Sequence, residues 1–251
     1  MAAVAQPTIQ EPISYIAPTL PSASSLLTLP LEAALQSTRW ACALTPEQYA
    51  RACAETIDRM VPAGGYVARR GEPVEAWLGV VEGLLKINAD SAAGKSVTFA
   101  GVPTGGWLGE GSLLKDEPRR YDVVALRDSR VALMPRATFE WLLNSSITFN
   151  RFLLEQLNER LGQFIAMVEY DRLLDIDARV ARCLAALYNP LLYPGTARQL
   201  EISQEEVGYL SGASRQRVNQ ALQVLEREHL LKVEYGGITI LDVEGLRHFR
   251  A

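Results

Sequence analysis

Residues 203–242 constrain the fold more than any other part of this 251-residue sequence. Ser203 stands three residues before Glu206, the spacing of a capping box, in which the serine hydroxyl and the carboxylate each accept a hydrogen bond from the other residue's backbone N–H. A helix is therefore predicted to begin directly after Ser203. The small residues 211–213 permit an abrupt turn that ends this helix, and Ser214 is placed to cap a second one.

The second helix of this stretch has two faces of opposite character. One face is apolar at the i, i+3, i+4 and i+7 spacing of a buried surface, at Val218, Ala221, Leu222 and Leu225. The other carries groups that can bond to base edges in the major groove, arginine to guanine and asparagine or glutamine to adenine, while a guanidinium or hydroxyl can hold phosphate. We predict a recognition helix, with DNA contacts from Ser203, Gln204, Ser214, Arg215, Gln216, Arg217, Asn219 and Gln220.

Two short apolar runs after the recognition helix predict a β-hairpin, or wing. Residues 230–235 and 238–241 flank Gly236-Gly237, a pair suited to a two-residue turn. Periodicity alone would equally fit two helices of an ordinary bundle whose polar face is simply solvated. The capped helix, the glycine turn, the polar second helix and the hairpin together, within one short span, favour DNA binding.

Residues 212–222 resemble the G-x-S-R-x-x-V-x-R-x-L recognition segment of the Crp/Fnr family of bacterial transcription regulators. The segment departs at Gln220, where the family frequently has arginine. The resemblance implies an α+β protein with an N-terminal antiparallel β-roll (jelly roll) as sensor domain, a long dimerisation helix and a C-terminal winged helix-turn-helix. It also implies a homodimer that binds a palindromic operator in double-stranded DNA and contacts RNA polymerase.

The composition of the chain is that of an ordinary two-domain soluble protein, 48% hydrophobic and 22% charged. No apolar run approaches membrane-spanning length, and the first residues lack the basic and apolar regions of a secretion signal. We therefore expect a cytoplasmic location and no membrane partner. Cys42, Cys53 and Cys183 are too few for a disulfide framework and are expected to be reduced, with a redox pair of the first two left open.

The net charge of −4 argues at first against a nucleic-acid partner. From Asp177 to the end of the chain, however, nine arginines and lysines balance nine acidic residues, so the predicted DNA-binding region is neutral. Such a domain should bind random DNA weakly and depend on base contacts and dimerisation for its affinity.

Changes in composition divide the chain into four parts. The first, 1–37, holds only two charges and five prolines, and we expect a disordered or weakly ordered tail. Thr45-Pro46-Glu47 is predicted to open a helix that runs to about Met60. Between Pro62 and Pro135, short apolar runs separated by glycines predict antiparallel strands. The further domains are predicted as a β-roll effector domain at 38–145, a dimerisation helix at 146–172 and a winged helix-turn-helix domain at 173–251.

The only two histidines, His229 and His248, lie outside the strand-rich part. A metal-binding cupin and a histidine-ligated haem therefore lack their usual ligands there. No nucleophile elbow and no cluster of metal ligands supports a hydrolase. We predict that the chain is not an enzyme, with no catalytic residue, no metal and no cofactor apart from an effector.

Residues 109–125 resemble the phosphate-binding cassette of cyclic-nucleotide sensors, in which Gly-Glu precedes Pro-Arg-Ser-Ala. There the glutamate accepts a ribose hydroxyl and the arginine holds the cyclic phosphate. Glu110 and Arg119 match by position, whereas Arg120, Tyr121 and Asp122 replace the small residues expected beside the phosphate. The resemblance implies effector contacts from Gly109, Glu110, Gly111, Ser112, Arg119, Arg120 and Tyr121.

The departures from the cassette pattern bear on the identity of the effector. An extra guanidinium and an aromatic ring suit a larger or more anionic ligand than a cyclic mononucleotide, such as a cyclic dinucleotide. Phe164 and Ile165 also stand where the family's cyclic AMP sensor presents Thr and Ser to the adenine. Both departures argue against plain cyclic AMP. An empty pocket, in which Glu110 and Arg119 pair with each other or with neighbours, stays open as the alternative.

A long helix is predicted from about Ile147 to Asp171. Its apolar residues follow spacings of 3, 4, 3 and 4, the a/d pattern of a two-stranded coiled coil, at Leu154, Leu157, Leu161, Phe164 and Val168. Phe149, Phe152 and Ile165 flank this seam and are expected to pack on the β-roll. So short a seam also occurs in packing within one chain, and it is the resemblance that favours a dimer.

Two hypotheses of different class follow. The first is a dimeric, sequence-specific transcription regulator controlled by an effector in the β-roll, a cyclic nucleotide or cyclic dinucleotide. The second is a cyclic-nucleotide-binding-like scaffold whose C-terminal domain docks protein instead of DNA. The second predicts no salt-dependent affinity for DNA, because no phosphates are neutralised.

Overall fold

The computed structural model describes residues 29–90, 96–194 and 196–250. Three short helices precede the first strand: α1 (Leu31–Gln36), α2 (Arg39–Cys42) and α3 (Pro46–Glu55). The predicted tail is therefore too long at its C-terminal end, because Leu35 of α1 is only 2% exposed and belongs to the core. Pro30, the last proline before this helix, stands at its N-cap and not inside it, where it would break it. The first 28 residues of the predicted tail lie outside the described residues.

The strand-rich part is a β-roll of two antiparallel four-stranded sheets, as predicted, with the orders β1-β8-β3-β6 and β2-β7-β4-β5. The elements are β1 (Ile57–Val61), β2 (Tyr66–Ala68), β3 (Ala76–Glu82), β4 (Leu84–Asp90), β5 (Ser96–Pro103), β6 (Trp107–Leu108), α4 (Glu110–Lys115), β7 (Asp122–Ala125) and β8 (Ser129–Pro135). The prediction that a helix continues to Met60 is wrong. The helix ends at Glu55, and the following residues pair with β8 instead.

Gly83 marks the point at which the chain passes from one sheet to the other. It separates β3 from β4, which belong to different sheets. Its φ is 110°, and a Cβ at this position would lie 2.2 Å from Ser129 Oγ. Both the backbone conformation and the lack of space require glycine here.

Two helices, α5 (Arg136–Ser145) and α6 (Ile147–Leu173), follow the β-roll. The first turns of α6 pack on it through Phe149 and Phe152, as expected. Ile165 is 61% exposed and does not pack there, which corrects the expectation for this residue. None of the described helices, α6 included, is long and apolar enough to cross a membrane.

The C-terminal part is a winged helix-turn-helix. Its elements are α7 (Ile176–Ala186), β9 (Gln199–Leu200), α8 (Gln204–Ser211), α9 (Arg215–Arg227), β10 (Leu231–Glu234), β11 (Gly237–Ile240) and α10 (Val243–His248). The hairpin turn is Tyr235-Gly236, one residue earlier than predicted. Gly237 lies in β11, where a Cβ would be 2.5 Å from the carbonyl oxygen of Leu200 in β9, so the strand pairing itself requires this glycine.

The winged domain is docked on the β-roll of its own chain. Leu84 and Leu126 of the β-roll belong to the winged domain's apolar core. Conversely, Tyr193, from the loop between α7 and β9, is 1% exposed and packs in the β-roll core with Val102 and Leu108. Each domain therefore contributes buried side chains to the core of the other.

Candidate DNA-reading surface and effector cassette

Side-chain caps set the ends of the helix-turn-helix. Ser203 Oγ accepts from Glu206 N at 3.2 Å and Glu206 Oε2 accepts from Ser203 N at 2.6 Å, which confirms the predicted capping box. The first helix, α8, ends directly before Gly212, whose φ of 67° suits glycine. Ser214 Oγ then accepts from Arg217 N at 3.4 Å and caps α9.

The two faces of α9 differ as the sequence predicts. The four apolar residues, Val218, Ala221, Leu222 and Leu225, are each 0% exposed. The predicted DNA contacts of this helix are all exposed: Ser214, Arg215, Gln216, Arg217, Asn219 and Gln220. Arg217 Nη1 donates to Gln220 Oε1 at 3.0 Å, and Gln204 Nε2 of α8 donates to Asn219 Oδ1 at 3.2 Å. The second bond ties the two helices together across the polar surface.

Glu110 of the cassette is buried and already paired. Its side chain accepts from Arg160 Nε of α6 at 3.1 Å and from Trp77 Nε1 of β3 at 3.3 Å. Arg160 Nη2 also donates to Trp107 O at 2.6 Å. The glutamate for which the resemblance implies a ribose contact is thus held by a guanidinium from the long helix. Sequence analysis did not identify Arg160, because it lies 50 residues from Glu110 and belongs to no local motif.

Arg119 is the second buried charge of the cassette, 5% exposed. Its Nη2 donates to Ala76 O at 3.1 Å. A Cβ on Gly109 would lie 2.9 Å from Arg119 Nη1, so the glycine of the cassette makes room for the guanidinium. Burial lowers the pKa of Arg119.

Two buried guanidinium nitrogens, Arg119 Nη1 and Arg160 Nη1, have no hydrogen-bond partner within the described part of the chain. An unpaired buried donor costs about 1–3 kcal/mol. Glu110 forms an ion pair with Arg160, whereas the carboxylate that acts on Arg119 is that of Glu72. Burial, the largest single effect, lowers the pKa of Arg160, but Glu110, Tyr193 and Tyr121 together outweigh it and the pKa is raised. An anion with oxygen acceptors is the chemistry that would satisfy both guanidinium groups.

The two residues that replace the small pair of the cassette lie in different places. Arg120 is exposed and forms a bidentate ion pair with Glu117, with both N–O distances at 2.8 Å. Tyr121 is half-buried against the β-roll core. Burial, and after it the charge of Glu110, raises the pKa of Tyr121. Tyr121, not Arg120, therefore belongs to the buried part of the cassette, while Gly111 and Ser112 lie in the first turn of α4.

Aromatic rings fill the interior beside Glu110. The ring centroids of Trp77 and Trp107 lie 4.4 Å apart, and Trp40 of α2 lies 5.2 Å from Trp107. Glu110 is 1% exposed and Trp77 is 0% exposed, so both side chains are almost completely shielded from solvent. The cassette is closed around Glu110 in this arrangement, and an effector that contacts Glu110 would have to open it.

The predicted dimer residues form an apolar strip on α6. Leu154, Leu161 and Val168 are exposed, and Leu157 and Phe164 are half-buried. The exposed Ile165 extends the same strip. A contiguous apolar surface left in water is typical of an interface with another protein.

Both domains of the chain are similar to known proteins. A model of the cyclic nucleotide-binding domain matches residues 58–146, and a model of the Crp-like helix-turn-helix domain matches residues 178–249. The chain is 28% identical over 170 residues to transcriptional regulator SdrP of Thermus thermophilus, covering 67% of this chain and 80% of SdrP.

Two further proteins are similar to this chain over most of their own length. The chain is 24% identical over 174 residues to the cAMP-activated global transcriptional regulator CRP of Pasteurella multocida, covering 68% of this chain and 83% of that regulator. The structure of FixK2 from Bradyrhizobium japonicum has a TM-score of 0.65 at 20% identity and covers 78% of this chain and 98% of FixK2. The residues matched by the two domain models include the cassette and both helices of the helix-turn-helix.

Proposed function

Because the chain belongs to the Crp/Fnr family of bacterial transcription regulators, we propose that it is a homodimer that binds a palindromic operator and contacts RNA polymerase. The observation that carries the proposal is α9, whose apolar face is fully buried while its base-reading side chains stand in solvent. The family consists of transcription regulators, and the proposal gives this chain no catalytic role. It also places the protein in the bacterial cytoplasm, where the operator is.

The residues of the two helices divide by the kind of DNA contact they suit. Arg215, in the first turn of α9, is our candidate for a bidentate contact with guanine. Ser203, Gln204 and Ser214 stand at the amino ends of α8 and α9, where backbone amides also favour phosphate. The further base or phosphate contacts are Gln216, Arg217, Asn219 and Gln220.

The apolar strip of α6 supports the dimer. Association of two α6 helices along Leu154, Leu157, Leu161, Phe164 and Val168 would remove these side chains from water, which is favourable in proportion to the apolar area buried. A two-fold axis along the paired helices would present two recognition helices about 34 Å apart, one turn of DNA, so that each reads one half-site.

We further propose that an anionic effector acts at the cassette. The support is chemical: Arg119 and Arg160 each present a buried N–H without a partner among the described residues. The phosphate of a cyclic nucleotide or cyclic dinucleotide carries the acceptors that these groups lack. Because the cassette is closed, the effector would select an open arrangement, and only its differential affinity for the two arrangements could shift their populations.

The test is a selection of random duplexes by the purified full-length protein, with and without cyclic AMP, cyclic GMP and cyclic di-GMP, followed by sequencing of the retained DNA. We expect an enriched palindrome, and we expect one nucleotide to change its enrichment. An affinity for DNA that rises as the salt concentration is lowered would show phosphate neutralisation. If no sequence is enriched under any condition, the winged domain is a protein-docking surface and the proposed function is wrong.

A further inference from the structure

One ion pair joins the β-roll to the beginning of the helix-turn-helix. Arg127 lies in the turn between β7 and β8, and its Nη2 is 2.8 Å from both carboxylate oxygens of Glu206 in α8, with Nε 3.1 Å from Oε1. The two side chains are 27% and 12% exposed. A forked pair with this little solvent fixes geometry far better than an ion pair on the open surface.

Both members of this pair are themselves held in place. Ser129 Oγ donates to Arg127 O at 2.8 Å, and Ala63 N donates to Asp128 Oδ1 at 2.9 Å, so the turn that carries Arg127 is tied at two points. Glu206 is the capping-box residue of α8. A fixed turn therefore holds a fixed helix end, and the orientation of the winged domain follows from the pair.

Two other contacts of different chemistry support the same orientation. Lys86 Nζ of β4 lies 4.7 Å from the ring centroid of Tyr209 in α8. The helix also approaches β5 so closely that a Cβ on Gly101 would lie 3.0 Å from the side chain of Leu210 and 3.2 Å from that of Leu187. The ion pair, the cation–π contact and the close packing are thus all made in the same docked position.

The docked position leaves the DNA-reading surface free. Arg215, Gln216 and Gln220 are exposed although the winged domain is docked. Arg127 also neutralises Glu206, a carboxylate two residues from the predicted phosphate contact Gln204. An unpaired carboxylate at this helix end would repel DNA phosphate.

We propose that Arg127 is a positioning residue for DNA binding, which acts through Glu206 to hold the winged domain where a dimer reads both half-sites of a palindrome. The inference rests on the proposed function. If the two winged domains of a dimer are already held in position before DNA binds, binding both half-sites costs less entropy. The same restraint contributes nothing when one winged domain binds one half-site. A comparison of the affinities for a palindrome and for a half-site therefore distinguishes a loss of positioning, which affects only the palindrome, from general damage to the domain, which affects both.

The experiment measures the affinity of the full-length protein for two duplexes of equal length. One carries the palindrome obtained by selection, and the other carries one half-site with the second scrambled. Arg127→Gln should weaken binding to the palindrome about tenfold, an ordinary coupling strength, and leave the half-site affinity unchanged. Arg127→Lys, which keeps the charge and loses the fork, should recover part of the loss.

Glu206→Gln tests the other partner without destroying the helix cap, because glutamine also serves at the N3 position of a capping box. It should cause the same selective loss. The double variant Arg127→Gln with Glu206→Gln should lose no more than either single variant, since all three lack the same interaction. Additive losses would show that the two residues act separately and would overturn the proposal.

Two further variants complete the test. Gly101→Val should push α8 away from β5 without changing a charge, and should show the same selective loss on the palindrome. Arg51→Gln breaks an exposed ion pair to Glu55 within α3, 2.9 Å long and remote from the winged domain, and should change neither affinity. Equal loss on both duplexes, or tighter binding of the palindrome by Arg127→Gln, would overturn the positioning role. If the unsubstituted protein bound no palindrome, the proposed function would fall and this inference with it.

Discussion

Glu110 is the residue on which the electrostatics of the cassette depend. Its carboxylate is the hydrogen-bonded counter-charge of buried Arg160, and it accepts a second hydrogen bond from Trp77. Removing one partner of a buried pair is far more costly than removing the whole pair, because the remaining charge stays in a poorly polarisable interior. The cassette therefore has a structural role besides any role in effector binding.

Glu110→Gln should lower the free energy of unfolding by about 3–5 kcal/mol, since Arg160 loses its counter-charge. Urea unfolding followed by circular dichroism measures this. Glu117→Gln is the matched control, because it breaks the exposed pair with Arg120 and should cost less than about 1 kcal/mol. Similar losses for both variants would show that Glu110 is not held as a buried pair.

Arg215→Ala should cost about 1–3 kcal/mol of binding and relax specificity at one base pair in each half-site. The measurement is the affinity for operators substituted at each position in turn. Arg227→Ala is the control on the same helix, because Arg227 is exposed in the last turn, away from the end that enters the major groove. Equal loss for Arg215→Ala on operator and random DNA would assign Arg215 to phosphate.

Among the elements, α6 is divided between two environments. Its first turns are buried through Phe149 and Phe152, whereas Leu154, Leu161 and Val168 on its apolar strip stay in water within a single chain. A helix of 27 residues would not need this second apolar face if it packed only on its own β-roll.

Leu161→Glu should convert the dimer to a monomer at micromolar concentration, because pairing would bury two unpaired carboxylates near the two-fold axis. A penalty of about 3 kcal/mol or more per buried unpaired charge raises the dissociation constant at least a hundredfold. Sedimentation velocity measures the outcome. Asn158→Glu, exposed on α6 and outside the seam, should remain dimeric. A dimer that survives Leu161→Glu would show that the strip is not the interface.

Elements with local signals could be predicted from the sequence, and those decided by distant partners could not. The capping box of α8, the turn at Gly212 and the buried face of α9 all depend on residues within one or two helical turns. β1 follows a helix without a break in pattern and becomes a strand only because Ser129–Pro135 pairs with it. The turn of the wing likewise lies one residue earlier because Gly237 pairs with Glu234 in a sheet that also includes the distant strand β9.

The candidate sites divide in the same way. Glu110 and Arg119 could be found because they belong to one short motif. Their neighbour Arg160 and the domain-joining Arg127 could not, since their carboxylate partners lie 50 and 79 residues away in the sequence. Residue spacing gives information about one helix or strand at a time. Each of these two ion pairs instead depends on how two elements distant in the sequence pack together.

At the scale of the whole molecule, Tyr193 connects the winged domain to the cassette. Its ring packs so closely on Gly106 of the β-roll that a Cβ there would lie 2.9 Å from Cδ1. Its hydroxyl lies 3.4 Å from Gln163 Oε1 on α6, and burial raises its pKa although the charge of Arg160 opposes this. A movement of Arg160 would therefore change the surroundings of Tyr193, which lies in a loop of the winged domain.

Tyr193→Ala should release the winged domain from the β-roll, because it leaves a cavity in the β-roll core where the loop inserts Tyr193 beside Leu192. Large-to-small changes of buried aromatic residues typically cost about 3–5 kcal/mol. Hydrogen exchange should become faster in both β5 and α8, and affinity for the palindrome should fall more than affinity for a half-site.

Tyr188→Ala is the control from the same loop, since Tyr188 packs within the winged domain and its hydroxyl bonds to Ala197 O and Arg198 O. It should loosen that domain without changing exchange in β5. If Tyr193→Ala left exchange in β5 unchanged, this loop would not hold the winged domain on the β-roll, and the docked position would depend on the Arg127–Glu206 pair and the packing of α8 on β5.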